Sequence, residues 1–241
     1  MTHIVHPYSH RLGIIRDWKS RWFGMKSKYR EFLKSDVLIR EYLERKLRGM
    51  YVSNIEIERG QNFLRIIIET SRPGIIIGRS GDGAVKLKNN ILAFIFKKKL
   101  SGAGLNHRPA EAGRVGRISQ SEVLGEIKVD IKEVRSPESN STIVAQMIAD
   151  GLEKRLPFRR VVKQMVEKVM ANRDVSGVKV ELSGRLGGAT MARQEKIKKG
   201  RIPLQTFRAD VNFTKYAAQL PYGQIGIKVW IYKGEIFSSK K

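Results

Sequence analysis

Arg159, Arg160 and Lys163 stand at i, i+1 and i+4 with no acid between them. At 100° per residue on a helix, the three lie within about 100° of one another. Cations grouped so closely on one face can meet the phosphates of a single nucleic-acid strand together. Gly78-Arg79-Ser80-Gly81 offers a second chemistry. Glycine at both ends of a four-residue turn removes the Cβ that would hold another backbone away, and Arg79 between them suits phosphate. Two further stretches are rich in cations. Near the start, Arg11, Arg16, Lys19 and Arg21 alternate with Tyr8, Trp18, Trp22 and Phe23. Near the end, Arg185, Arg193, Lys196, Lys198, Lys199 and Arg201 face only Glu195. Rings on which bases stack beside charges that meet phosphates suit single-stranded nucleic acid. The plainer alternatives are a solvated helix face for the cations and an arm that packs its tryptophans onto the body.

The composition favours a polyanionic partner. Among 241 residues, 47 Lys+Arg stand against 23 Asp+Glu, for a net charge of +24. Such an excess exceeds what solubility needs and points to nucleic acid first and an anionic membrane second. Hydrophobic residues make up 41% of the chain, enough for one large domain or two ordinary ones. No cysteine is present, which excludes disulfides, zinc knuckles and thiol nucleophiles and fits a reducing compartment. Residues 1–12 carry no apolar secretory segment, and the apolar runs fall far short of a membrane span.

Enzyme chemistry finds little support. His6 and His10 have helical spacing, but no Glu follows the first in the manner of a zinc protease, so no metal site is expected. Gly184-Arg185-Leu186-Gly187-Gly188 lacks the Gly-Lys-Ser/Thr ending of a phosphate-cradling loop. Gly78 to Gly83 departs from the dinucleotide pattern. Glu181, Glu195 and Asp210 form no evident cluster for a metal-dependent nuclease. No catalytic residue and no cofactor is expected.

The elements that position these cations can be read in order. Residues 1–35 read as an irregular basic arm. A helix follows over 36–48, capped by Ser35 or Asp36, with Leu38, Ile39, Tyr42 and Leu47 on one face and Gly49 at its end. Strands are expected over 52–58 and 63–70, joined by a turn at Arg59-Gly60-Gln61-Asn62. The Gly-x-x-Gly turn comes next, then a helix of about four turns through Val85, Leu87, Leu92, Ile95 and Phe96. Residues 97–125 read as an exposed insertion, and 126–134 as a strand with Ile127, Val129 and Ile131 inward. Beyond a linker at Ser136-Pro137-Glu138, one helix is expected over 141–156 and a second from Phe158 to Ala171. Strand-like stretches follow, the clearest placing Ile225, Ile227, Val229 and Ile231 on one face. The expected fold class is therefore α+β, in two domains. Residues 36–135 form the first, with the insertion at about 97–125, and residues 136–238 form the second, two helices on a four-stranded sheet. Residues 239–241 are a short tail.

A Gly-x-x-Gly turn between helices, with a helix and two strands before it and a strand after, resembles a type II KH domain, whose turn clamps the backbone of single-stranded nucleic acid. Further blocks extend the resemblance over nearly the whole chain. They include Val5-His6-Pro7 with Arg11-Leu12-Gly13-Ile14, Arg72 to Gly78, and Phe158-Arg159-Arg160. Val180 to Ala189, Gly200 to Leu204, and Tyr222-Gly223 through Ile236 complete the series. Together these resemble the bacterial-type S-three family of small-subunit ribosomal proteins. The resemblance implies a seat on the head of the cytoplasmic small subunit, binding to small-subunit rRNA, and neighbours from the S-ten and S-fourteen families. It also implies a place at the mRNA entry channel, where the family's basic residues, here Arg159, Arg160 and Lys163, help keep incoming mRNA single-stranded. Two features depart from the family's pattern: Ser80 and Asp82 at the turn, where a second basic residue is common, and the length of 97–125.

The leading expectation is a non-enzymatic RNA-binding component of the ribosome that also guides mRNA. Its RNA contacts would be the turn residues Gly78, Arg79, Ser80 and Gly81, the channel cations of the second domain, and rRNA contacts from Arg11, Arg16, Lys19, Arg21, Arg185, Arg193, Lys196, Lys198, Lys199 and Arg201. The alternatives are a free KH-type regulator and a nucleic-acid-cleaving enzyme.

Overall fold

The computed structural model describes residues 5–60, 63–102 and 126–237. Within these the chain divides into two compact units. One comprises residues 19–50, 54–60, 63–102 and 126–133; the other gathers 5–18, 51–53 and 134–237.

The first unit runs β1 (Ser20–Arg21), α2 (Lys26–Lys46), β2 (Val52–Arg59), β3 (Phe63–Thr70), α3 (Pro73–Ile77), α4 (Asp82–Gly102) and β4 (Glu126–Glu133). Its sheet has the order β1-β2-β3-β4. The β3–β4 pair is parallel, with Leu64 opposite Ile127 and Ile68 opposite Ile131. A parallel pair requires a crossover, and α3 and α4 supply it. Ile39 and Leu43 of α2, Leu64, Ile66 and Ile68 of β3, and Leu87, Ile91 and Ile95 of α4 are buried. From α2 onward the order α-β-β-α-α-β is the one the sequence led us to expect, whereas β1 falls in the stretch read as an irregular arm.

Helix α2 corrects that reading at its start. It begins at Lys26, ten residues before the expected cap. Asp36 caps nothing: it lies mid-helix, 1% exposed. Its carboxylate accepts from Trp22 Nε1 at 2.7 Å, Arg59 Nε at 2.8 Å and Ser20 Oγ at 3.2 Å. Trp22 also packs on Tyr29 and Phe32, so this ring is structural and not a platform for bases. The expected insertion is corrected too, because residues 97–102 continue α4. The remainder of that insertion, the turn residues Gln61 and Asn62, and the expected tail fall outside the described residues.

The second unit holds α1 (Pro7–His10), α5 (Ser141–Glu153), α6 (Phe158–Ala171), β5 (Gly177–Gly184), β6 (Arg193–Gly200), β7 (Ala209–Leu220) and β8 (Gly223–Glu235). Its sheet is antiparallel, ordered β6-β5-β8-β7. Asn140 caps α5 by accepting from Thr142 N at 3.0 Å. Ile148 and Leu152 of α5 and Val162, Val166 and Val169 of α6 pack on Val178, Val180 and Leu182 of β5 and on Ile225, Ile227, Val229 and Ile231 of β8. One sheet face is thus covered by helices. On the other face Phe213, Trp230 and Tyr232 gather with Ile202 and Leu204.

Residues 5–18 belong to this second unit and form no free-standing arm. Arg11 is fully buried. Its guanidinium donates to the carbonyls of Ala209 (2.5 Å), Pro7 (3.0 Å), Pro203 (3.1 Å), Leu204 (3.0 Å) and Thr206 (3.0 Å). Burial pulls its pKa below the usual arginine value, Asp210 opposes that shift and Arg16 adds to it. His6 meets Phe213 edge-on at 4.8 Å, and His10 stacks on Phe207 at 4.1 Å.

Candidate nucleic-acid interface

Pro157 stands at the N-cap of α6, its backbone still extended (φ −57°, ψ 119°). Val161, Val162, Val166 and Val169 turn into the core; Arg160 lies opposite them, Lys163 beside it and Arg159 at the boundary of the buried face, and all three cations are exposed. The structure therefore brings these three expected residues together. The Arg159 side chain is 72% exposed, and its fork engages Glu195 of β6, Nε to Oε2 at 3.2 Å and Nη2 to Oε1 at 3.0 Å. That hydrogen bond holds the Glu195 carboxyl below its usual range and raises the Arg159 pKa. Arg193 also approaches Glu195, at 3.7 Å. The Arg159 and Arg193 guanidinium carbons lie 5.6 Å and 5.7 Å from the centre of the Phe158 ring. Glu195 and Phe158 thus hold two guanidinium groups at the edge of the sheet. A planar fork fixed in place loses less side-chain freedom when it meets a phosphate. Neither the Glu195 pairing nor the Arg193 approach to Phe158 is visible in the sequence, since both join α6 to β6, a strand distant along the chain.

The Gly-x-x-Gly turn forms as a short 3-10 turn over Arg79–Gly81, after α3 and before α4. Gly78 (φ 72°), Ser80 (φ 53°) and Gly81 (φ 84°) all adopt left-handed backbone, and only Ser80 does so with a side chain. Gly83 is required for a separate reason. A Cβ there would lie 2.5 Å from Ile76 O and 2.8 Å from Ile77 O, so the α3 carbonyls pack directly on the start of α4. Gly78, Arg79 and Ser80 are exposed and Gly81 half-buried.

The remaining expected contacts separate. Arg11 is a correction: a guanidinium enclosed by five carbonyls cannot reach a phosphate. Arg16 is half-buried and paired with Asp210 at 2.5 Å. Arg21 pairs with Glu56 at 3.2 Å and Glu58 at 2.9 Å, whereas Lys19 is exposed. Arg185 is exposed while donating to Ala189 O at 2.8 Å. The basic segment 193–201, which reads as one patch in the sequence, is divided by the β6 pleat. Glu195, Ile197 and Lys199 lie opposite Leu182, Val180 and Val178 on the helix-covered face, whereas Lys196 and Lys198 lie opposite Glu181 and Lys179 on the other. Arg201 follows the strand, exposed. Among the described residues no group of His, Asp and Glu could hold a metal ion, and no helix is long and apolar enough to cross a membrane.

Comparison with known proteins agrees with this architecture. The family described as "KH domain" matches residues 38–139, and "Ribosomal protein S3, C-terminal domain" matches residues 148–231. Among curated proteins, the "Small ribosomal subunit protein uS3" of Caldicellulosiruptor bescii is 41% identical over 236 residues, covering 98% of this chain and 94% of that protein. Its namesake from Endomicrobium trichonymphae is 42% identical over 237 residues, covering 98% and 90%. That of Hydrogenovibrio crunogenus is 40% identical over 231 residues, covering 96% and 89%. With a KH domain followed by an S3 C-terminal domain, and with such identity along nearly its full length, the chain belongs to the bacterial-type uS3 family of small ribosomal subunit proteins.

Proposed function

We propose that the protein is a structural, non-enzymatic constituent of the cytoplasmic small ribosomal subunit. It binds small-subunit rRNA and, through the exposed face of α6, holds incoming mRNA single-stranded at the entry channel. Its neighbours would be ribosomal proteins of the S-ten and S-fourteen families. The observation that carries the mRNA reading is the exposed cationic face of Arg159, Arg160 and Lys163 on a helix that buries its valines. Cations that neutralise phosphates release counterions, so the grip is electrostatic and independent of sequence. A strand held by its backbone is slow to re-pair, and the work of unwinding comes from translocation. The KH turn and the cations at Lys19, Arg21, Arg185, Arg193, Lys196, Lys198, Lys199 and Arg201 supply further RNA contacts in this reading.

Combined replacement of Arg159, Arg160 and Lys163 by alanine tests it. Translation through a stable mRNA hairpin slows while small subunits still assemble. Equal rates on structured and unstructured messages would end the assignment. A free KH regulator is distinguished by sedimentation, because the bulk of a ribosomal constituent runs with small subunits in cell lysate.

A further inference from the structure

The face of the C-terminal sheet that α5 and α6 leave uncovered carries two rows of side chains that run across all four strands. In the first, the register aligns Lys196, Glu181, Lys228 and Lys215. In the second it aligns Lys198, Lys179, Trp230 and Phe213. Five lysines thus face one carboxylate. Glu181, its side chain 9% exposed, is held by Lys228 Nζ at 3.1 Å and Lys179 Nζ at 3.5 Å. Lys179 Nζ also sits 4.4 Å from the centre of the Trp230 ring. Lys196, Lys198 and Lys215 are exposed. Lys179 lies directly opposite Lys198, and Lys215 directly opposite Lys228. Like charges so placed destabilise a sheet, so folding alone does not favour this pattern. Three strand spacings of about 4.8 Å make each row roughly 14 Å long, enough to lie along several phosphates.

We propose that this lysine face is a second phosphate-binding surface, separate from α6, and that its occupant is the sugar-phosphate backbone of folded rRNA. Three features select that occupant. The aromatic members of the rows, Trp230 and Phe213, are buried, Phe213 against His6 of the N-terminal segment, so no ring is offered to a base and a single strand gains no stacking here. The exposed members are lysines, which protein–protein interfaces avoid at their centres. Compact ammonium charges read phosphate without reading sequence, as the backbone of folded RNA requires. The second unit would then carry one polyanion on its helix layer and another on the lysine rows of the opposite sheet face. The proposal rests on the chain's binding of rRNA and is independent of the role given to α6.

The test uses the full-length protein with Lys196, Lys198 and Lys215 all replaced by glutamine, and folded small-subunit rRNA as the probe. Filter binding is measured over a range of salt. The slope of log affinity against log salt becomes shallower by about 2–3, nearly one for each phosphate no longer neutralised. The triple arginine variant keeps the wild-type slope, which separates charge from folding. An unchanged slope for the glutamine variant overturns the proposal. So does loss of a neighbouring ribosomal protein from the particle with rRNA affinity intact, which would make the occupant a protein. Failure of the α6 alanine variant to slow hairpin passage leaves the slope measurement standing, so the two readings fail separately.

Discussion

Replacing Arg11 by alanine removes a side chain that reading of the sequence placed on RNA and the structure places in the core. Two of its five acceptors, Ala209 O and Pro7 O, are fully buried. The bonds to Pro203 O, Leu204 O and Thr206 O are partly buried, and Thr206 O also accepts from Ala209 N at 3.3 Å. Water can re-solvate the partly buried groups, so the loss is governed by the two enclosed carbonyls. A buried acceptor left without a donor costs about 1–3 kcal/mol, so the two enclosed carbonyls together cost about 2–6 kcal/mol. We expect about 2–6 kcal/mol for Arg11→Ala. A domain of this size loses roughly 3–4 °C of melting temperature per kcal/mol, so calorimetry on the full chain should show the C-terminal transition falling by about 6–24 °C. The KH transition serves as the internal reference. Lysine at this position restores the charge but not a planar fork with five donors, and recovers only part of the loss. A melting temperature unchanged to within a few degrees, with a weakened salt dependence of rRNA binding, would refute this account and return Arg11 to the RNA surface.

Other outcomes follow from the same geometry. Glu195→Gln releases Arg159 and Arg193 from their shared carboxylate, so affinity for unstructured RNA, read by fluorescence anisotropy, rises a few-fold at low salt and converges with wild type near 1 M, where screening is nearly complete; a fall would show that the fork needs its anchor. Gly83→Ala drives a methyl group into the Ile76 and Ile77 carbonyls and destabilises the KH unit by about 1–3 kcal/mol, measured by urea denaturation, whereas an unchanged midpoint would contradict the close approach. Burial alone would raise the Glu181 pKa, but the Lys228 hydrogen bond and the charges of Lys228 and Lys179 outweigh it and leave the carboxyl below its usual 4.5. A depressed folded-state pKa means that the stabilisation is complete above the unfolded value and is lost as pH falls through the folded one. Between about pH 5 and pH 3 the wild type should therefore lose more stability than Glu181→Gln, and parallel curves would refute the coupling.

Much of this architecture is legible in the sequence where an element buries one face. Ile225, Ile227, Val229 and Ile231 alternate because β8 has helices on one side only, and the valines of α6 expose its cations by elimination. Legibility fails where burial gives no period. Lys26 to Glu31 are exposed all round, so the start of α2 leaves no apolar stripe to detect. Strand β6 has one half-buried aliphatic residue, Ile197, so its pleat is hidden within a run of charges and its two faces merge into one apparent patch. Arg11 and Asp36 mislead for a different reason. A charged residue reads as a surface group unless its partners are known, and those of Arg11 lie up to 198 residues away.

That separation has a consequence for synthesis. The Arg11 segment leaves the ribosome well before four of the five carbonyls that enclose its side chain, which lie beyond residue 200. At about 5–20 residues per second the segment waits roughly 10–40 s for them, long enough for the intervening KH unit to fold first. The Arg11 segment is therefore a late-closing latch, and a nascent chain arrested before residue 203 would carry it undocked.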